Sequence, residues 1–330
     1  MTNSIVQMSP FRIEPRASTR PWGFRDLRPW YDRVAEGEPI GEMWLTGDDC
    51  LVATGPFAGR RLADLFADAH TALLGPDAPS PDSPLLIKVI FAREKLSVQV
   101  HPDDRMAQKY GDPRGKTECW YVLAAEPGAK LALGVKPGTT LADLERGIRE
   151  VTLETSLNLL PVVAGEMVFV DAGTLHAIWP GLILLETQQN CDLTYRMYDY
   201  GRPRPIHIER SLEAVRMTTR AGRVAPQALA DRTLLIDKEY FRVEKIAASG
   251  SHTSASLRAT ETKPSFAYLF AAAGAGRLTG EGFDPLDLPP HGIVAIPASS
   301  PEFVLEDASA AGQCLELIRI VPNWPSPAAG

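Results

Sequence analysis

Positive charge is in deficit in this sequence: 34 lysines and arginines stand against 41 aspartates and glutamates, a formal net charge of -7. A nucleic-acid surface needs a basic excess or at least a basic cluster, so no nucleic-acid partner is expected. Cysteine is sparse as well. Cys50, Cys119, Cys191 and Cys314 lie far apart with no paired spacing, which argues against a zinc knuckle or a disulfide framework and leaves four reduced thiols. Long apolar runs are missing. The opening MTNSIVQMSPFRIEPR has no stretch resembling a signal peptide, and no segment is apolar enough to span a bilayer, so the expectation is a cytoplasmic protein with no membrane partner. These exclusions point to a small-molecule substrate, and nothing in the sequence sets the oligomeric state.

What is present is the material for a large β-rich core. Of 330 residues, 45% are hydrophobic and 23% charged, and 28 prolines and 26 glycines punctuate many short β-favouring runs, a pattern that reads as mainly β with helical insertions. Strands are expected in LIKVIFA, KLSVQVH, ECWYVLAA, KLALGV, GEMVFVDAG, LILLETQQ and LTYRMYDY. Helices are expected in GRRLADLFADAHTALLG, in TTLADLERGIRE with Thr140 and Asp143 placed as a capping box, and in HIERSLEAVRM, all with apolar residues at three-to-four spacing. An Ala-rich, less periodic stretch places a domain boundary near residue 225, giving a first domain over 1-225 and a second over 226-330.

Within KLSVQVHPDD, side chains alternate between faces, so Ser97, Gln99 and His101 point one way while Val98 and Val100 point the other. A strand face carrying a glutamine and a histidine looks onto either solvent or a functional cavity. In KTECWYV, Glu118 shares a face with Trp120 and Val122 in a strand otherwise too apolar to welcome a carboxylate. The stretch GEMVFVDAGTLHAI resembles the second cupin motif, with Gly165, Gly173 and His176 in place and Asp171 where proline is usual. Two imidazoles, a carboxylate and an amide oxygen suit a borderline divalent cation, zinc first, with manganese, cobalt and iron also suited. Asp103 and Asp104 read as ordinary turn residues after Pro102, and His70, His207, His252 and His291 as structural. Trp22, Trp44, Trp120 and Tyr121 either wall a pocket or pack the core.

Taken in order, RPWGF, GEMW, LLIKVI, SVQVHPDD, GKTECWYV, GEMVFVDAGTLHAI, LETQQNCDLTYRMYDYGR and HIERSLEAV resemble the type I mannose-6-phosphate isomerases over most of residues 20 to 220. The resemblance implies cupin (jelly-roll) barrels, with a metal-binding catalytic barrel followed by a smaller degenerate one. It implies one Zn2+ per chain held by Gln99, His101, Glu118 and His176. It also implies interconversion of mannose 6-phosphate and fructose 6-phosphate through a cis-enediol or enediolate. Arg196 would be the essential arginine, and Glu186 either a base or the group that positions Arg196. Lys116 and Ser97, with Arg196, would meet the sugar phosphate. When GIVAIPASSPEF is set on the motif around His176, Glu302 falls at the histidine, so the second domain is expected to lack metal ligands. The competing readings are another cupin chemistry, such as an iron dioxygenase or a free-sugar isomerase, and a sugar-binding module without catalysis.

Overall fold

The strand Leu85–Ala92 is buried at all eight positions, and its two faces enter two different cores. Ile87, Val89 and Phe91 join one apolar cluster, while Ile90 and Ala92 join another. A strand buried on both faces reads as a continuous apolar run, and here it lies between stacked layers. The structure is a computed structural model that describes residues 7–248, 251–259 and 265–324.

Among the described residues four sheets, antiparallel throughout their named pairings, stack in sequence. A five-stranded sheet runs Tyr195–Tyr198, Val98–Val100, His176–Ile178, Lys130–Val135, Leu157–Pro161. A seven-stranded sheet places Glu118–Ala125, Leu182–Gln189, Leu85–Ala92 and Ile40–Trp44 side by side at its centre. Between these two lies a core containing Ile90, Trp120, Val122, Leu131, Leu133, Ile178 and Leu184. An eight-stranded sheet, which includes Phe241–Ala248, Leu315–Pro322 and Ala267–Ala273, packs on the far side of the seven-stranded one through Phe91, Tyr121, Leu185, Tyr268, Phe270 and Ile320. A four-stranded sheet closes the stack over Leu269, Leu278, Leu305 and Leu317. Each unit is thus a pair of facing sheets, the double-sheet form of a jelly roll rather than a closed cylinder.

The helices pack against the sheets at different places. Leu141–Arg149 begins with the Thr140 and Asp143 capping box, and Leu144 joins Val100, Ala177 and Tyr195 on the outer face of the five-stranded sheet. Leu62–Leu74 packs into the core between the units. Two details depart from expectation. Asp103 does not merely fill a turn: its carboxylate accepts from Met106 N and caps a short helix, Asp104–Lys109. The sheets change hands between Val224 and Gln227, but Phe11–Glu14 pairs with Ile293–Ile296 and with Leu51–Val52. The amino-terminal part therefore contributes strands to the second unit's sheet, and a cut at residue 225 does not separate the two.

Candidate active site

Register brings the chemistry together. Gln99 is the cross-strand partner of His176 on one side and of Arg196 on the other. In the facing seven-stranded sheet, Glu186 lies opposite both Lys88 and Trp120, and Glu118 opposite Gln188. Polar side chains from the two sheets meet at one end of the core between them.

At its centre, His176 Nε2 is 3.4 Å from Glu118 Oε1 and His101 Nε2 is 3.7 Å from Glu118 Oε2. One ligand atom from each of these residues falls within 4.8 Å of the others. Both imidazoles are oriented from behind. His101 Nδ1 bonds the Leu193 carbonyl and His176 Nδ1 the Thr174 carbonyl, each at 2.9 Å, which leaves both Nε2 lone pairs facing Glu118. His101 Nε2 and Glu118 Oε1 are buried without a hydrogen-bond partner, and Glu118 Oε2 has only the Lys116 ammonium at 3.2 Å. Buried polar atoms are nearly always paired, so this convergence of orphaned lone pairs fits a cation. Gln99 completes the set: its amide nitrogen is 3.2 Å from His176 Nε2 and its oxygen accepts from Ser97 Oγ at 3.1 Å. Turning that amide over presents the oxygen to the cluster.

Burial, reinforced by the Lys116 charge, pushes His101 well below the usual imidazole range, and burial takes His176 down to about 4. Both imidazoles are therefore neutral, as ligands must be. Two carboxylates near them go opposite ways. Burial pushes Glu118 up. Glu186 is equally buried, but the ammonium groups of Lys116 and Lys88 outweigh that cost and hold it below the usual range. Glu186 also accepts from Trp120 Nε1 at 2.9 Å. Lys116 Nζ lies 3.2 Å from Glu118 and 4.0 Å from Glu186. Lys88 Nζ lies 2.9 Å from Glu186 and 3.6 Å from Glu42 and Asp192.

Above this floor opens a cavity of about 710 Å³, lined among others by Trp22, Lys88, Ser97, Gln99, Lys116, Glu186 and Arg196. Arg20, Arg202 and Arg204 also face it, and each has a carboxylate partner: Glu42, Glu94 and Asp199, and Asp199 respectively. Arg196 differs. Its guanidinium donates to the Pro205 carbonyl, and no carboxylate of the described residues lies within ion-pair distance. Burial and the charges of Arg204 and Arg20 push its pKa down. A guanidinium without a counter-ion, among other cations, favours an incoming anion.

The family model for the type I phosphomannose isomerase catalytic domain matches residues 21–139, the part that carries Gln99, His101, Lys116 and Glu118. The mannose-6-phosphate isomerase of Streptococcus mutans is 34% identical over 284 residues, covering 82% of this chain and 87% of that protein. The chain belongs to the mannose-6-phosphate isomerase family. Mannose-6-phosphate isomerase ManA of Bacillus subtilis is 33% identical over 90% of this chain and 96% of its own. The crystal structure of a mannose 6-phosphate isomerase from Bacillus subtilis superposes with a TM-score of 0.82 at 28% identity, covering 95% and 99% of the two chains. A mannosephosphate isomerase fold from Archaeoglobus fulgidus, described as putative, gives 0.76 at 21% identity. The mainly β cupin architecture is that of this isomerase family.

Within this family fold, Ser97, Gln99, Lys116, Glu186 and Arg196 line this cavity, and His101, Glu118 and His176 cluster next to Gln99 and Lys116. Their pairing differs from the reading. No contact joins Glu186 to Arg196 among those described; Glu186 belongs to Lys88, Lys116 and Trp120. Lys116 is 3% exposed, and so is not a solvated loop lysine. His207, read as structural, lines the cavity and accepts from the Arg196 backbone N–H at 3.2 Å. Lys88 was missed. Its signal was a lysine in the middle of LLIKVIFA, where an ordinary buried strand has no place for a charge. Glu302, set on His176 by the second motif, is exposed. Among the described residues, no helix is long and apolar enough to cross a membrane.

Proposed function

We propose that this chain interconverts mannose 6-phosphate and fructose 6-phosphate, and that Gln99, His101, Glu118 and His176 hold one divalent cation at the cavity floor. Zinc suits the two neutral imidazoles, carboxylate and amide oxygen. The observation that carries this reading is the convergence of the buried His101 and His176 Nε2 atoms on the Glu118 carboxylate under a cavity whose wall bears Arg196. The family relatives supply the substrate: a ring-opened hexose 6-phosphate is a small, anionic, hydroxyl-rich molecule, and the cavity is polar and basic along one side.

The reaction breaks the C2–H bond and forms a C1–H bond, while the O2 hydroxyl becomes a carbonyl and the O1 carbonyl becomes a hydroxyl. Charge develops on O1 and O2 in the enediolate between these states. When bound, the cation supplies Lewis-acid stabilisation of that charge. The remaining work falls to side chains. Arg196, lacking a carboxylate, pairs with the anionic substrate and aligns it over the floor. Lys116 Nζ, between Glu118 and Glu186, is placed to hand a proton to a sugar oxygen. With the Gln99 oxygen turned to the cation, its Nε2 faces Ser97 Oγ and donates to it, so Ser97 fixes the amide, and it borders the cavity where sugar hydroxyls pass. Glu186 is held ionised, with Oε1 accepting from Trp120 and Oε2 paired with the Lys88 ammonium, which makes it a weak base and an anchor for the lysines.

The test compares two variants in one preparation. His101→Ala is expected to lose both bound zinc and turnover. Arg196→Ala is expected to keep full zinc stoichiometry while turnover falls about 100-fold or more, the usual cost of removing one charged transition-state contact. Arg196→Ala with turnover near that of the wild type overturns the role given to that residue. Conversion of free mannose at the rate of its 6-phosphate overturns the phosphate-directed reading.

A further inference from the structure

Asp104, read from the sequence as an ordinary turn acid, is the centre of a hydrogen-bond hub that reaches three other parts of the chain. Its Oδ1 accepts from Gly115 N at 2.7 Å and from Gln189 Nε2 at 2.9 Å, and its Oδ2 accepts from the Tyr240 hydroxyl at 2.9 Å. Gln189 turns the hub back on the site: its Oε1 accepts from Thr117 N at 2.9 Å, and its own N–H donates to the Thr117 carbonyl at 3.1 Å. Thr117 lies between Lys116 and Glu118. Lys116 N donates to the Pro102 carbonyl at 3.0 Å, so the segment carrying His101 and the segment carrying Glu118 run in contact. The contact is close. A Cβ on Gly115 would meet the Asp103 carbonyl carbon at 2.4 Å and Asp104 N at 2.7 Å.

We propose that Asp104 is a positioning residue for Lys116 and Glu118, and that Tyr240 makes this alignment depend on the second unit. Tyr240 immediately precedes Phe241–Ala248 of the eight-stranded sheet, and its own carbonyl is tied to Asn323 N at 2.9 Å. Through that hydroxyl the eight-stranded sheet reaches the segment that carries Lys116 and Glu118. The hub holds backbone on either side of Lys116 Nζ and the Glu118 carboxylate, two groups whose separation of 3.2 Å sets the cavity floor. Groups that orient metal ligands from behind in this way typically change affinity or activity about 10- to 100-fold when removed.

This inference rests on the metal and lysine roles proposed above, and its test keeps the two apart. Full-length wild type, Asp104→Ala, Asp104→Asn and Tyr240→Phe are compared at a temperature well below unfolding. Zinc affinity is read by chelator competition, and kcat and KM by conversion of mannose 6-phosphate. Asp104→Ala is expected to weaken zinc binding and lower kcat by about 10-fold or more. Asp104→Asn, which keeps an oxygen facing Gly115 N and Gln189, is expected to recover both to within about threefold. Tyr240→Phe, which removes only the hydroxyl that donates to Asp104, is expected to lower kcat about fivefold. A wild type that binds no zinc or does not turn over mannose 6-phosphate defeats the functional reading itself. An active, zinc-loaded wild type whose Asp104→Ala and Tyr240→Phe variants keep its zinc affinity and kcat, even with reduced thermal stability, overturns the positioning role.

Discussion

Lys88→Met removes an ammonium group that is 2% exposed and lies 2.9 Å from Glu186 and 3.6 Å from Glu42 and Asp192. Methionine keeps most of the lysine stem, so the change is chiefly one of charge. Glu42 retains Arg20 at 2.8 Å, and half-exposed Asp192 can turn to water. Glu186 has no such relief: it keeps the Trp120 hydrogen bond and only the more distant Lys116 at 4.0 Å. Breaking a buried ion pair by deleting one partner costs about 3–5 kcal/mol, and the residual attraction of Lys116 puts the expected loss near the lower end, about 3 kcal/mol. The loss is pH-dependent with a defined sign. In the wild type, Glu186 has a depressed folded-state pKa, so its contribution is complete above the ordinary carboxylate value of 4.5 and is lost as pH falls below it. In the variant, burial is less opposed and raises the Glu186 pKa, so stability falls as pH climbs from 4.5 through the raised value. The gap between the proteins is therefore widest near neutrality and narrows towards pH 4.5. Urea unfolding of both proteins in excess chelator at a series of pH values measures it. A gap under about 1 kcal/mol at neutral pH, or one unchanged between neutrality and pH 5, refutes the ion-pair account.

Two further substitutions probe the same floor. Trp120→Phe keeps an aromatic ring 5.5 Å from His176 but removes the indole N–H from Glu186; a loss of about 1.5–3 kcal/mol is expected in urea unfolding, and an unchanged midpoint contradicts it. Gly115→Ala places a methyl group against the Asp103 backbone at 2.4 Å, so the segment bearing Lys116 and Glu118 must shift. Turnover about 10-fold below wild type with a lowered zinc affinity is the expected outcome, and wild-type values for both contradict it.

Much of the site was legible because strand parity is a local property. Alternation put Gln99 beside His101, and Glu118 beside Trp120, before any neighbour was known. The strands Glu118–Ala125, Lys130–Val135 and Leu182–Gln189 begin and end where their sequences change character. What escaped depended on register between distant segments. Lys88 carried no reading of its own within LIKVIFA; only the register places it opposite Glu186, and that register also gives Glu186 a lysine partner in place of Arg196. Asp104 is separated from Gln189 by 85 residues and from Tyr240 by 136, so its local sequence showed only a turn. The four residues Phe11–Glu14 gave no sign that their partner was Ile293–Ile296. Composition near residue 225 could not reveal a strand that pairs across it.

The central claim is that one divalent cation on Gln99, His101, Glu118 and His176 supports the isomerisation. Its most direct test is conversion of mannose 6-phosphate to fructose 6-phosphate by protein stripped with a chelator and then reconstituted separately with zinc, manganese, cobalt and iron. The account predicts that turnover disappears on stripping and returns with about one equivalent of zinc. Turnover that survives stripping, or zinc-loaded protein that never converts this substrate, contradicts it.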